Sequence, residues 1–184
     1  MRAWKASTTP GTPGRQARTL VSPTTQKSYK TCRRRWYSIV GMDTDGEPIR
    51  FDTKIAVLLR DDLEVWQRLN VASFMVSGIG LRNPEVIGQP YGDADGTEYL
   101  PMFRQPVLVF EASKETLAKS RERAVSRGVA LSVFTADLFT TGPDRDNRAA
   151  VRAGGGASRD RVGMAMYGPR GAIDKIVKDA RMHP

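Results

Sequence analysis

Histidine and cysteine, the side chains that most readily hold metals, shuttle protons or attack carbonyls near neutral pH, occur once each, as His183 and Cys32. No Ser-His-Asp triad, Cys-His dyad or zinc cluster can be assembled from them. Chemistry therefore falls to carboxylates, hydroxyls and guanidinium groups. Two Asp-x-Asp-Gly stretches, at Asp43 and Asp93, look like calcium loops, but in that register the sixth position is Pro48 or Glu98 instead of glycine. The twelfth is Lys54 or Arg104 instead of glutamate. No Gly-x-Gly-x-x-Gly or Walker-type loop follows a strand, so the signature of nucleotide binding is missing, and Gly154-Gly155-Gly156 reads as a spacer. The sequence calls for no cofactor and no metal.

Several polar residues carry two readings. Asp62 follows an apolar run and is either a helix N-cap or a site carboxylate at a strand's end. Asn147 and Arg148 could contact an anionic ligand, while Asp144, Arg145, Asp146 and Arg148 together read as a solvated helix face. Tyr91, Asp93, Asp95 and Tyr99 could frame a pocket lip, but hairpin turn chemistry accounts for them. Trp66 is read as core or dimer packing in preference to a stacking platform.

The elements that would position these residues follow from pattern. Lys54-Ile55-Ala56-Val57-Leu58-Leu59 is a continuous apolar run, as expected of a central strand covered on both faces. Asp61 and Asp62 offer N-cap carboxylates for a helix over 63–76, with Val65, Leu69, Ala72 and Val76 at helical spacing and Gly78 and Gly80 as its stop. Val86-Ile87, the polar turn 93–96 and Tyr99-Leu100 suggest a small hairpin. Val107–Phe110 reads as a second core strand, and Ser113 caps a predicted helix over 114–127 that stops at Gly128. A third strand over 129–134, a polar loop over 136–144, a short helix over 145–152 and a fourth strand over 162–167 follow. Pro169 opens a last helix with Ile173, Ile176, Val177 and Ala180 on one face. This alternation predicts an α/β fold, a mixed sheet of about four strands flanked by helices with a small hairpin insertion.

At 184 residues the chain suits one domain with an appendage. Its net charge of +9 would ordinarily suggest nucleic acid or an anionic membrane. That charge is localised. Residues 1–41 hold nine Lys and Arg and no Asp or Glu, leaving 20 cations against all 20 carboxylates in residues 42–184, which are neutral overall. Rich in Ser, Thr, Pro, Gly and Arg and without apolar period, residues 1–41 read as a basic disordered segment. A targeting peptide, a nucleic-acid-binding tail around Arg33, Arg34 and Arg35, and residues upstream of a true start at Met42 all fit. Residues 42–184 read as a single α/β domain. No apolar stretch reaches the 18 residues of a membrane span, and a lone Cys32 fits a reducing compartment, so a cytoplasmic location is expected.

Lys54–Gly78, with its Arg-Asp-Asp-Leu-Glu-Val-Trp-Gln-Arg-Leu-Asn-Val core, Asp93–Met102, Thr135–Val151 and Val162–His183 together resemble the uncharacterised bacterial family called domain of unknown function 2000. The resemblance covers nearly all of residues 52–183, and it implies the fold of type II peptidyl-tRNA hydrolases. The Arg-x-Asp-Leu motif of those hydrolases is matched by Arg60, Asp62 and Leu63. Their Gly-Lys motif is not: this chain reads Trp66-Gln67, with Arg68 next, so the expected cation is missing unless Arg68 replaces it. An Asp followed four residues later by a Thr is matched by Asp137 and Thr141. The resemblance implies ester hydrolysis, Asp137 holding or deprotonating water and Thr141 stabilising charge on the tetrahedral intermediate. Asp62, Arg68, Asn147 and Arg148 would support binding. Arginine stays protonated and cannot shuttle a proton, so a non-catalytic module binding a small ligand or a protein in the same crevice is the alternative. A homodimer through the apolar first helix is expected, a small-molecule or ester ligand fits the crevice, and tRNA lacks a basic surface in the neutral domain.

Overall fold

Five consecutive residues, Ile55 to Leu59, are buried in the middle of strand β1 (Thr53–Arg60), which explains why that run has no polar alternation: both faces of the strand are covered. The computed structural model describes residues 50–154 and 159–183. The basic segment 1–41 and the Met42 boundary lie outside the described residues.

The chain continues through helix α1 (Val65–Arg82), strands β2 (Tyr91–Gly92), β3 (Glu98–Tyr99) and β4 (Val107–Ala112), helix α2 (Lys114–Ser126) and strand β5 (Leu131–Thr135). Helix α3 (Asp144–Ala153), strand β6 (Arg161–Pro169), helix α4 (Arg170–Val177) and strand β7 (Arg181–Met182) complete it. The main sheet has the order β5-β6-β1-β4-β7. β1 pairs parallel with β4, from Ile55 opposite Val107 to Arg60 opposite Ala112, and antiparallel with β6. The result is the predicted mixed α/β sheet with helices on both faces. It has one strand more than the sequence pattern showed, because β7 is only two residues long and exists through its antiparallel pairing to β4.

Alternate residues of β1 feed two cores. Ile55, Val57 and Leu59 pack under α1 with Val71, Met75 and Ile79, and Ala56 and Leu58 pack on the other face with Leu117, Ala124, Met164, Met166, Ile173 and Ile176 from α2, β6 and α4. Ser113 caps α2 as expected, its Oγ accepting from Thr116 N at 3.3 Å.

Three local expectations are corrected. Helix α1 does not stop at Gly78 or Gly80 but runs through both to Arg82. The glycines serve close approach: a Cβ on Gly80 would lie 3.3 Å from Ile87 Cδ1, where the segment leading to the hairpin packs against the helix. The N-cap is Glu64 and not Asp61 or Asp62; Gln67 Oε1 accepts from Glu64 N at 2.9 Å. Val86-Ile87 is no strand, since Pro84–Val86 forms a 3-10 turn and only an isolated bridge joins Ile87 to Phe103. The hairpin turn itself matches its reading: Asp93 Oδ1 accepts from Asp95 N at 3.0 Å and Thr97 N at 2.9 Å, while Tyr99 donates to Oδ2 at 2.7 Å. Among the described residues no helix is long and apolar enough to cross a membrane.

Candidate functional site

The carboxyl ends of β1 and β4 lie side by side, and from them the chain leaves to opposite faces of the sheet, α1 to one and α2 to the other. Two segments diverging from neighbouring parallel strands leave a gap between them, the place where open α/β sheets hold ligands. Here the gap is an open cleft of about 350 Å³ lined by Arg60, Asp61, Asp62, Ser113, Lys114, Glu115 and Asp160.

Each wall has a local cause. Arg60 is the last residue of β1, and Asp61 N donates to Ala112 O at 3.1 Å, extending the β1–β4 pairing one step past the strand. Ser113 and Lys114 open α2. Asp160 precedes β6 and is tied to the end of β5 through Ala136 N, 2.9 Å from its carbonyl oxygen. The side chains then join: Arg60 Nε donates to Asp62 Oδ1 at 2.6 Å and Nη1 to Asp160 Oδ1 at 2.7 Å, and Lys114 Nζ meets the same Asp160 oxygen at 2.7 Å. The Lys114 hydrogen bond and, against some burial, the Arg60 guanidinium hold the Asp160 carboxyl below its ordinary range. Burial works to lower the Arg60 pKa, but its bonds to Asp62 and Asp160 outweigh that and raise it. Four carboxylates face two cations across the cleft, so its balance is acidic.

Arg68 does not line this cleft. Its Nε donates to Leu63 O and its Nη2 to Asp61 O, both at 2.7 Å, and its Nη1 binds Glu111, whose carboxylate is only 4% exposed. Arg181 Nε donates to the second Glu111 oxygen at 3.0 Å, and His183 Nε2 lies 3.5 Å from the first. Burial pushes the Glu111 carboxyl up, but Arg68, His183 and Arg181 outweigh it and hold the pKa below its ordinary value. Arg68 thus braces the 61–63 loop from behind, because a residue one turn into α1 on the side of Leu59 and Glu111 faces the sheet and not the opening.

The remaining candidates fall elsewhere on the same edge of the sheet. Asp137 is exposed in the 3-10 turn Ala136–Phe139 that follows β5, with β6 between β5 and β1. The Thr141 hydroxyl donates to the Asn147 side-chain carbonyl, joining the loop to α3. Arg148 pairs with Asp144 one turn earlier at 3.1 Å, with both side chains more than two-thirds exposed, which is the solvated-face arrangement. Asp62 shares the cleft with Arg60, whereas Asp137, Thr141, Asn147 and Arg148 are not among its lining residues. Trp66 is 60% exposed and meets Phe139 edge-on at 5.7 Å between ring centroids. Lys114 and Asp160 were not singled out by sequence reasoning. Lys114 carried only the signal of standing beside a cap, and Asp160 carried none, being 100 residues from the Arg60 it binds. Among the described residues no group of three or more His, Cys, Asp or Glu is placed to hold a metal ion.

A family model described as "Protein of unknown function (DUF2000)" matches residues 53–184. A solved structure of a protein of unknown function from Agrobacterium tumefaciens strain C58 is similar to this chain at 42% sequence identity, with a TM-score of 0.72, covering 73% of this chain and 100% of that one. No curated protein matches the chain.

Proposed function

The chain belongs to the DUF2000 family, and within it we propose that the cleft at the carboxyl ends of β1 and β4 binds a small polar ligand carrying a cationic group. The observation that carries this reading is the cleft itself: a topological switch point whose lining is charged, mutually paired and acidic in balance. Carboxylates such as Asp61 and Glu115 would receive an ammonium or guanidinium group, and Lys114, more than half exposed, would swing from Asp160 to an acceptor on the ligand. The same balance disfavours a phosphate backbone, which seeks clustered cations. Titration of the 15N-labelled full chain with ethanolamine, lysine, spermidine and inorganic phosphate tests it, up to about 10 mM so as to reach millimolar affinities. Amide shifts at Asp61, Asp62, Lys114 and Glu115 with the amines are expected. Their absence with every amine, or a response to phosphate alone, overturns the reading.

The second reading is hydrolysis of an ester-type bond at Asp137 and Thr141, supported by the resemblance to type II peptidyl-tRNA hydrolases and by the exposure of Asp137 beyond a strand's carboxyl end. Against it, Gln67 stands where those enzymes have lysine and accepts from the Glu64 N–H, and Arg68 is bound to Glu111. Hydrolysis of N-acetylaminoacyl-tRNA or of an ester panel, lost in Asp137→Ala with the fold intact, would favour it over binding alone.

A further inference from the structure

Nine of the ten large apolar side chains left exposed among the described residues lie between Val65 and Met102: five on α1 and four in the hairpin segment that follows it. Helix α2, whose outer face is charged, leaves only Val125. On α1 the exposed residues are Val65, Trp66, Leu69, Phe74 and Leu81, from 56% to 88% accessible, opposite the stripe of Val71, Met75 and Ile79 that enters the core. Single exposed apolar residues are ordinary, but a helix apolar on both sides marks a surface that is covered in use.

We propose that a second copy of this chain covers it, α1 packing on α1 about a twofold axis. Charge points to a copy in preference to a different protein. The only charged residues in α1 are Arg68, turned inward to Glu111, and Arg82 at its last position, so the outward face sets no like charge against its symmetry mate and offers none to a charged partner. The middle of the face is built for close approach. Ser73 and Ser77, one turn apart, donate their hydroxyls to Leu69 O at 2.8 Å and Phe74 O at 2.6 Å, so burying them leaves no unsatisfied donor.

The area also fits. Side chains of this size, half or more exposed, present on the order of 600 Å² from α1 alone, the larger part of the about 800 Å² that each partner buries in a stable interface. An antiparallel crossing sets Trp66 and Leu69 of one copy against Leu81 of the other, with Phe74 near the axis. Because Trp66 rests on Phe139, the interface abuts the turn that carries Asp137.

Sedimentation velocity on the full chain tests this at about 50 μM, above the micromolar Kd of the weakest interfaces of this size. A dimer is expected, with Leu69→Arg and Leu81→Arg each giving a monomer of unchanged far-ultraviolet circular dichroism. A monomeric parent chain overturns the proposal, and so does a dimer that survives both substitutions, since it would use another face. Leu81 is 88% exposed, so Leu81→Arg decides the matter even where Leu69→Arg disturbs folding.

Discussion

Arg60 Nη1 stands 2.7 Å from Asp160 Oδ1, joining the last residue of the central strand to the residue before its antiparallel neighbour. The Arg60 side chain is 15% exposed, and Nε, the other arm of its guanidinium, is held by Asp62 at 2.6 Å. The cleft wall is therefore a chain of paired charges from β1 to α2, passing through Asp160 to Lys114.

Removing the charge at its centre tests how far that chain shapes the cleft. Asp160→Asn is expected to lower stability by about 1 kcal/mol, a modest loss because Asp160 is 40% exposed and solvent screens the pairs. The urea midpoint reads the loss, and the amine-induced amide shifts at Lys114 should weaken in the same variant.

Glu111 presents the stronger case. Glu111→Gln leaves the largely enclosed Arg68 guanidinium without its anion and is expected to destabilise by about 2 kcal/mol, somewhat below the usual cost of breaking a buried pair because the second partner, Arg181, is mostly exposed. Thermal unfolding at neutral pH measures it.

The pH dependence of that difference has a fixed sign. The folded-state pKa of Glu111 lies below its ordinary 4.5, so the unfolded chain binds the proton more readily. The stabilisation is fully present above 4.5 and is lost as pH falls through the lower, folded value. Parent chain and Glu111→Gln should thus converge in urea midpoint as pH drops below 4.5, and a gap that widens there would contradict the assignment.

Gly163 sits where α1 crosses β6. A Cβ there would meet Val71 Cγ1 at 2.6 Å and Met75 Cε at 2.9 Å, with Leu58 O at 3.3 Å behind, so Gly163→Ala should cost about 2 kcal/mol through overpacking. Chemical denaturation of the variant checks this.

Asp137→Ala separates the two functional readings without disturbing the fold, since Asp137 is exposed and outside the cleft lining. Amine binding at Asp61 and Lys114 should be unchanged within about twofold, less than 0.5 kcal/mol. Loss of that binding, followed by the same amide shifts, would place Asp137 in the cleft.

The sequence by itself determined the main strands and helices of the sheet and the burial of its central strand. The unbroken run Ile55–Leu59 announced a strand covered on both faces, Ser113 announced the start of α2, and Asp93 with Gly96 announced the hairpin turn, because each is a local pattern written within a few residues. Gly78 and Gly80 misled, since glycine signals both a helix stop and a close contact, and only the presence of Ser132 and Ile87 tells which. Tertiary structure alone decided what the polar residues do. Arg68 and Arg60 are eight positions apart and chemically alike, yet one is pulled beneath the sheet edge by Glu111 and the other bridges Asp62 and Asp160 in the cleft. Partners 43 and 100 residues away leave no periodic trace along the chain, so the candidate site could be read only once the strands had set Arg60, Lys114 and Asp160 side by side.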